Sequence, residues 1–294
     1  MKGFSTLKTG LLMFGLTLLL VAVGRALDSA LGSSMFMYGF LVLSLVMNFI
    51  SYWFSDQIVL GIYRAREASR GQADWLYRMV ERLCRNAGLP MPKLYIIPAP
   101  VPNAFATGRN PHHAAVAVTE GLINSLTAEE LEGVIAHELA HIKNRDTLIS
   151  TVVAGIAGVI STIGNLAMWG LMLGGGGGGR NNDNGGGFGA LFLLLVAPLL
   201  ALIIQLMISR QREFAADAGG AYISGRPLAL ASALEKIELI ARSHPMQPAP
   251  ATAHLFIVNP FRGDLARDWF STHPSTARRV ERLRQLAREM RVFV

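Results

Sequence analysis

The sequence predicts an α+β, mostly helical chain, in which a soluble domain split in two along the sequence is joined to four membrane-spanning helices. Three observations carry that reading. Half of the 294 residues are hydrophobic (51%) and only 16% are charged, against about 25% charged in an ordinary soluble domain. Four long stretches contain no charged residue. The segments between and after them carry short strand patterns and capped amphipathic helices.

The first charge-free stretch, Gly10 to Gly24, has Lys2 and Lys8 before it and Arg25 after it. Its basic start and short apolar centre also fit a cleavable leader, whose removal would not carry the rest of the chain across a membrane. The second, Ser29 to Ser55, ends in Tyr52 and Trp53, which suit a membrane interface. Thr147 to Gly179 and Asn184 to Ser209 are the third and fourth. A spanning helix needs about 20 mostly apolar residues, so all four qualify, the first only with its flanks. Pro198, Gln205 and many glycines leave open whether the last two cross fully or are partly buried in protein.

Basic residues set the orientation. Arg64, Arg66, Arg70, Arg78, Arg82 and Arg85 follow the second stretch, and Arg210 and Arg212 follow the fourth, while the two hairpin loops are charge-poor. The basic segments belong in the cytoplasm, together with both termini. A formal charge of +7 raises nucleic acid as a partner, but no groove-reading motif accompanies it and cytoplasmic arginines account for it. The glycine run Gly174 to Gly187 lacks the Gly-Lys-Ser/Thr ending of a phosphate loop and reads as a flexible outer loop. The single cysteine, Cys84, excludes an intramolecular disulfide, which fits a reducing compartment, and it sits on the apolar stripe of a helix that stops at Gly88.

The soluble parts are residues 56–146 and 210–294, with 147–209 inserted between them as a membrane hairpin. "KLYIIP" (Lys93 to Pro98) and "AAVAVTEG" (Ala114 to Gly121) read as strands, with "NAFATG" (Asn103 to Gly108) a candidate third and "RNPHH" a turn. A helix follows Thr127, whose capping box is completed by Glu130. Another starts at Pro227. A terminal helix opens near Ser275 and places Val280, Leu283, Leu286 and Met290 on one face.

The helix after Thr127 contains "HELAH". His137 and His141 stand four apart, which puts both imidazoles on one face where they can grip one ion. Glu138 lies about 100° round the helix, beside such an ion and not on it. This is the arrangement of a zinc metallopeptidase. Two histidines, a third protein ligand and a water would surround the zinc, lowering the pKa of that water toward about 7; Glu138 would take its proton and hand it to the leaving amine. Five residues can match this pattern by chance, but a chance match has no reason to sit on a well-capped helix or to have an acid candidate downstream. "SRQREFAADAGG" supplies Glu213 and, one turn on, Asp217: a ligand and a carboxylate that orients a histidine, or else one solvated helix face. His112, His113, His244 and His254 read as turn and loop residues. Asn144, three past His141, either bonds the histidine region or caps the helix.

"HELAH", "REFAAD", "NAFATG" and "THPSTARR", in that order around four apolar segments, resemble the HtpX family of membrane-bound zinc metallopeptidases, bacterial inner-membrane relatives of the prenyl-protein (CAAX) proteases. The resemblance covers essentially the whole chain. It implies a gluzincin-like domain with one Zn2+ per subunit on His137, His141 and Glu213, supported by Asp217. It also implies that His273 stabilises the tetrahedral oxyanion with Arg279 in support. Asn103, Ala104, Phe105 and Ala106 would border the cleft, where an edge strand holds the substrate backbone by strand addition. The partners it implies are protein substrates, above all membrane or misfolded proteins, membrane lipid, and an ATP-dependent membrane protease that shares quality control under stress.

The order of ligands explains why the motif adjoins an apolar run: the hairpin is inserted between them. If the helices run on unbroken, His141 lies about 9 Å from Thr147 and Glu213 about 6 Å from Ser209, so the zinc sits roughly 10 Å from the cytoplasmic membrane surface. Loops and ends of membrane proteins are then the expected substrates. The rival class is a membrane scaffold with a structural metal, but such a site normally closes its fourth position with Cys or His and has no use for Glu138. A prenyl-protein protease is the enzymatic alternative, disfavoured by a short chain with few membrane segments.

Overall fold

The computed structural model describes residues 2–32, 34–152, 210–243, 255–257 and 274–291. The fourth apolar stretch, all of the third beyond Val152, the glycine-rich loop, and His244, His254 and His273 lie outside the described residues.

Two long helices, α1 (Lys2–Leu31) and α2 (Phe36–Ile62), form a hairpin. Gly24 lets them touch: a Cβ there would lie 2.8 Å from Met37 Cα. The Asp28 carboxylate accepts from the N–H groups of Phe36 (2.9 Å) and Met37 (3.1 Å), so it satisfies two of the orphan donors that open α2. Midway, Asn48 donates to the Met13 carbonyl (3.2 Å) and to Thr17 Oγ1 (2.9 Å). Among the described residues, Phe36–Phe54 is the one helical segment long and apolar enough to cross a membrane, and Thr9–Arg25 is a shorter apolar one. The second helix does not end with its apolar run at Ser55. It continues through Asp56 to Ile62, because Val59 and Leu60 are buried against the sheet and hold those turns helical.

The sheet has four strands, β1 (Arg66–Glu67), β2 (Lys93–Ile97), β3 (Ala104–Gly108) and β4 (Ala114–Thr119), in the order β1-β2-β4-β3. β2 and β4 run parallel, while β3 pairs antiparallel with β4 from Ala104↔Val118 to Gly108↔Ala114. "NAFATG" is thus the edge strand it was expected to be. Every residue of β3 and β4 is buried, because both faces are covered. Leu94, Ala104, Ala106, Val116 and Val118 face the main core. Phe105, Ala115, Ala117 and Ile97 face Val59 and Leu60 at the end of α2.

α3 (Arg70–Ala87) buries Leu76, Met79, Val80, Leu83 and Cys84 and stops at Gly88, whose φ of 67° is the left-handed cap that glycine supplies freely. Burial pushes the Cys84 thiol up to about 11, which makes it a core residue. A short α4 (Glu120–Ser125) leads to α5 (Ala128–Asn144), with the full capping box of Thr127 and Glu130. α5 packs on β3 and β4 and also on α3, α6 (Arg210–Ser224) and α7 (Pro227–Ser243), so it is the central element. α8 (Thr276–Glu289) packs on α6 and α7, burying Val280 and Leu283, with Leu286 and Met290 against the same core.

α5 does not run on into the third apolar stretch. Arg145 takes a left-handed φ of 60°. Its N–H and that of Asp146 return to the carbonyls of Ile142 (3.1 Å) and His141 (3.0 Å), which is a Schellman-type stop. A new helical run starts at Thr147, and its Leu148 and Val152 pack on Leu16, Leu20 and Met47 of the hairpin. The 9 Å estimate from His141 to Thr147 assumed an unbroken helix and does not apply here.

Candidate metal centre

Two helices carry the centre, and a glycine brings them together. α6 crosses α5 so closely that a Cβ on Gly220 would lie 2.8 Å from the His137 backbone nitrogen, and one on Gly219 would lie 2.9 Å from Ala140 Cβ. At that crossing the ligand atoms of His137, His141 and Glu213 all come within 4.8 Å of one another. His137 Nε2 and His141 Nε2 are 3.2 Å apart, and the rings stand nearly perpendicular at 89°. Glu213 Oε1 is 3.6 Å from His141 Nε2, and its Oε2 is 3.8 Å from His137 Nε2. Two atoms bonded to one tetrahedral zinc stand about 3.3 Å apart, so this donor set fits such an ion. Among the described residues no fourth side chain joins the cluster.

The outer nitrogens of both rings meet carboxylates, the arrangement that fixes a ligating histidine. His137 Nδ1 lies 3.0 Å from Asp217 Oδ1, and His141 Nδ1 lies 3.5 Å from Asp146 Oδ2. Asp217 is the residue expected for this role. Asp146 was not foreseen; it, and not Asn144, approaches His141, because the stop at Arg145 turns the chain back over the site. Arg279 is 1% exposed and grips Asp217 through both oxygens, Nε to Oδ2 at 2.8 Å and Nη2 to Oδ1 at 2.7 Å. Its Nη1 donates to the Ile257 carbonyl (2.8 Å) and lies 3.8 Å from Glu213 Oε2.

The electrostatics favour a cation. Burial alone would raise Asp217, but the Arg279 guanidinium overcomes it and holds the carboxyl down at about 2. Burial alone would lower His141, but the Asp146, Glu213 and Glu138 carboxylates raise it to about 9. Four carboxylates, Glu138, Asp146, Glu213 and Asp217, surround the two imidazoles against the single guanidinium of Arg279. A divalent cation makes up that deficit.

Glu138 is 5% exposed. Burial pushes its carboxyl above the usual range, while the two imidazoles pull against it. Its Oε2 accepts a hydrogen bond from the Ala106 N–H at 2.8 Å, a contact with no signature in the sequence. Glu138, both histidines, Glu213, Asp146 and Ala106 line one cleft of about 430 Å³, whose far wall is Leu255, Phe256 and Ile257. Asn103 does border that wall, but its side chain is already engaged: Oδ1 accepts from the Ile257 N–H (3.1 Å). Its backbone pairs with Thr119. Ala104 is buried. Phe105 lines the cleft beside Ala106, and its ring reaches toward α2, with centroids 5.3 Å from Tyr63, which also meets Phe256 at 6.4 Å. The Gly219–Gly220 pair, just past "REFAAD", is the one sequence signal that announces a close helix crossing.

A family model described as Peptidase family M48 matches residues 70–287. Proteins named Protease HtpX homolog are similar over nearly the whole length. The one from Pyrococcus furiosus is 53% identical over 287 residues, covering 97% of this chain and 97% of its own. That from Pelotomaculum thermopropionicum is 50% identical over 283 residues, covering 96% and 99%. Among solved structures, the crystal structure of S. mikatae Ste24p shares the fold with a TM-score of 0.52 at 17% identity, covering 95% of this chain, which spans 65% of the length of that one.

Proposed function

This chain belongs to peptidase family M48 and is a membrane-bound metalloprotease, and from that premise we propose that it is a zinc endopeptidase acting beside the cytoplasmic face of a bacterial inner membrane. The reading has four spanning helices, both termini in the cytoplasm, and a catalytic domain assembled from 56–146 and 210–294. The candidate span Phe36–Phe54 and the basic residues after it support this.

His137, His141 and Glu213 would hold the ion. When bound, zinc supplies Lewis acidity: it lowers the pKa of water toward about 7 and polarises the scissile carbonyl. The protein's own groups do the rest. Glu138 takes a proton from the attacking water and passes it to the leaving amine, and its high-lying, buried carboxyl suits both steps. The Ala106 N–H on Oε2 keeps that carboxylate from rotating out of the cleft, leaving Oε1 for the proton. Asp217 and Asp146 orient the imidazoles from behind, and Arg279 keeps Asp217 ionised. His273, by the family resemblance, donates to the developing oxyanion. A substrate strand added along β3 meets an edge whose Ala106 and Gly108 N–H groups are engaged by Glu138 and Thr151, so the β3 carbonyls carry the pairing at those two positions. The substrates are loops and ends of membrane or misfolded proteins, cut as part of quality control alongside an ATP-dependent membrane protease.

The observation that supports this most strongly is the meeting of two imidazoles and one carboxylate within 4.8 Å, without a fourth ligand among the described residues. Glu138→Gln tests it. The variant should bind one zinc as the parent does and lose cleavage of an unfolded test protein by at least about 100-fold. Retained cleavage with full metal content overturns the role given to Glu138, whereas a parent chain that binds the metal and cleaves nothing leaves a structural metal in a scaffold as the alternative.

A further inference from the structure

The lipid-facing surface of α2 has a sharp end. Tyr38, Val42, Leu45, Phe49 and Trp53 recur at three- and four-residue spacing and are 44–62% exposed, which is one apolar stripe along the helix. It closes at Trp53 and Phe54, and Asp56 and Gln57 follow. A tryptophan in that position marks the headgroup level of a bilayer. Over its ring lies a residue from a distant part of the chain: the Arg109 Cζ is 4.7 Å from the Trp53 centroid. Arg109 opens the turn between β3 and β4, and exposed His112 and His113 continue it. Among the described residues no carboxylate lies within ion-pair distance of Arg109. Stacking engages the face of a guanidinium and leaves its edge donors for a planar or tetrahedral oxyanion. The same corner of the sheet is tied to a second membrane-entering segment. Thr151, four residues inside the third apolar stretch, accepts from the Gly108 N–H (3.2 Å) and bonds Thr107 Oγ1 (3.1 Å).

We infer that the β3–β4 turn is a lipid-contacting element, in which Arg109, seated on Trp53, binds the phosphate of an anionic phospholipid headgroup and holds this corner of the sheet on the membrane surface. The inference rests on the membrane-bound reading and gives it a depth. Ala106, which fixes Glu138, stands three residues up the strand from Arg109, about 10 Å at the rise of a β-strand. The hydrolytic cleft then opens about 10 Å above the phosphates, within reach of a chain that has only just left the bilayer.

The test uses the full chain with Cys84→Ala, reconstituted in phosphatidylcholine vesicles with or without phosphatidylglycerol. A thiol-reactive fluorophore is placed at His112→Cys or, as a control, at Val42→Cys. Spin labels on the lipid headgroup or at mid-chain serve as quenchers. The control dye should be quenched mainly by the mid-chain label. The dye at position 112 should be quenched mainly by the headgroup label. Adding Arg109→Gln should reduce that quenching by up to about fivefold in phosphatidylglycerol vesicles, the worth of one arginine near an anionic surface, and leave it unchanged in phosphatidylcholine alone. A quenched control with an unquenched dye at 112, or an Arg109→Gln variant without effect in anionic vesicles, overturns the inference while the membrane reading stands. An unquenched control overturns both.

Discussion

The α1–α2 hairpin and the α5–α6 pair are each two helices pressed together at a glycine, and they are built inside out with respect to one another. In the hairpin the exposed face carries Phe14, Val42 and Phe49, while Ser44 and Ser51 are fully buried; a long-range side-chain link between its helices is the neutral Asn48 amide. In the α5–α6 pair Val134, Ile135, Leu139 and Ala216 are buried, and acidic and basic side chains are buried with them: Glu213, Asp217 and, from α8, Arg279. On the proposed reading, with the hairpin in the membrane, the surrounding solvent accounts for the difference. Lipid offers no gain from hiding leucine, so small and neutral polar groups make the contact. Water rewards hiding it, and a charge buried there must be matched by another charge. The hairpin's polar link is therefore worth little, and the centre's is worth much.

Four substitutions measure that contrast. Asp217→Asn should have the largest effect. It leaves the buried Arg279 without its counter-charge, at a cost of about 3–5 kcal/mol, and removes the carboxylate behind His137, at a cost of about 10–100-fold in metal affinity. Denaturant unfolding and a metal titration read the two effects separately; a loss under about 1 kcal/mol would put this pair on a level with an exposed one. Gly220→Ala comes next. Its new Cβ meets the α5 backbone at 2.8 Å, forcing the ligand helices apart at a cost of about 1–3 kcal/mol and lowering bound metal. Gly24→Ala makes an equally close contact in the hairpin but should leave metal content unchanged. If both variants lose metal alike, the two regions are not independent. Asn48→Leu should be the mildest. Interhelical hydrogen bonds in a bilayer average about 0.6 kcal/mol, so unfolding in detergent should shift slightly and cleavage should be unaltered.

Much of the centre was legible because it is local. Histidines four apart on a capped helix face one way whatever surrounds them, and Glu213 and Asp217 likewise share a face of their own helix. Cys84 was legible as core for the same reason of periodicity. The end of α2 was not. Charge begins at Asp56, yet the helix runs on because Val59 and Leu60 find the sheet, and no pattern within the segment announces that partner. The stop at Arg145 was hidden as well, since arginine is not a residue that signals a left-handed cap.

The amino-acid sequence by itself determined where charge is absent, the alternation of short strands with capped helices, and which side chains share a helix face, His137 with His141 and Glu213 with Asp217, all of which follow from spacing along one element. Only the tertiary structure decided which groups stand behind them: Asp146 at His141, the Ala106 N–H on Glu138, the Ile257 carbonyl on Arg279, and Arg109 on Trp53. Each is a contact between elements, and two of the four use backbone atoms that every residue type carries, so their partners are set by where packing brings the chain.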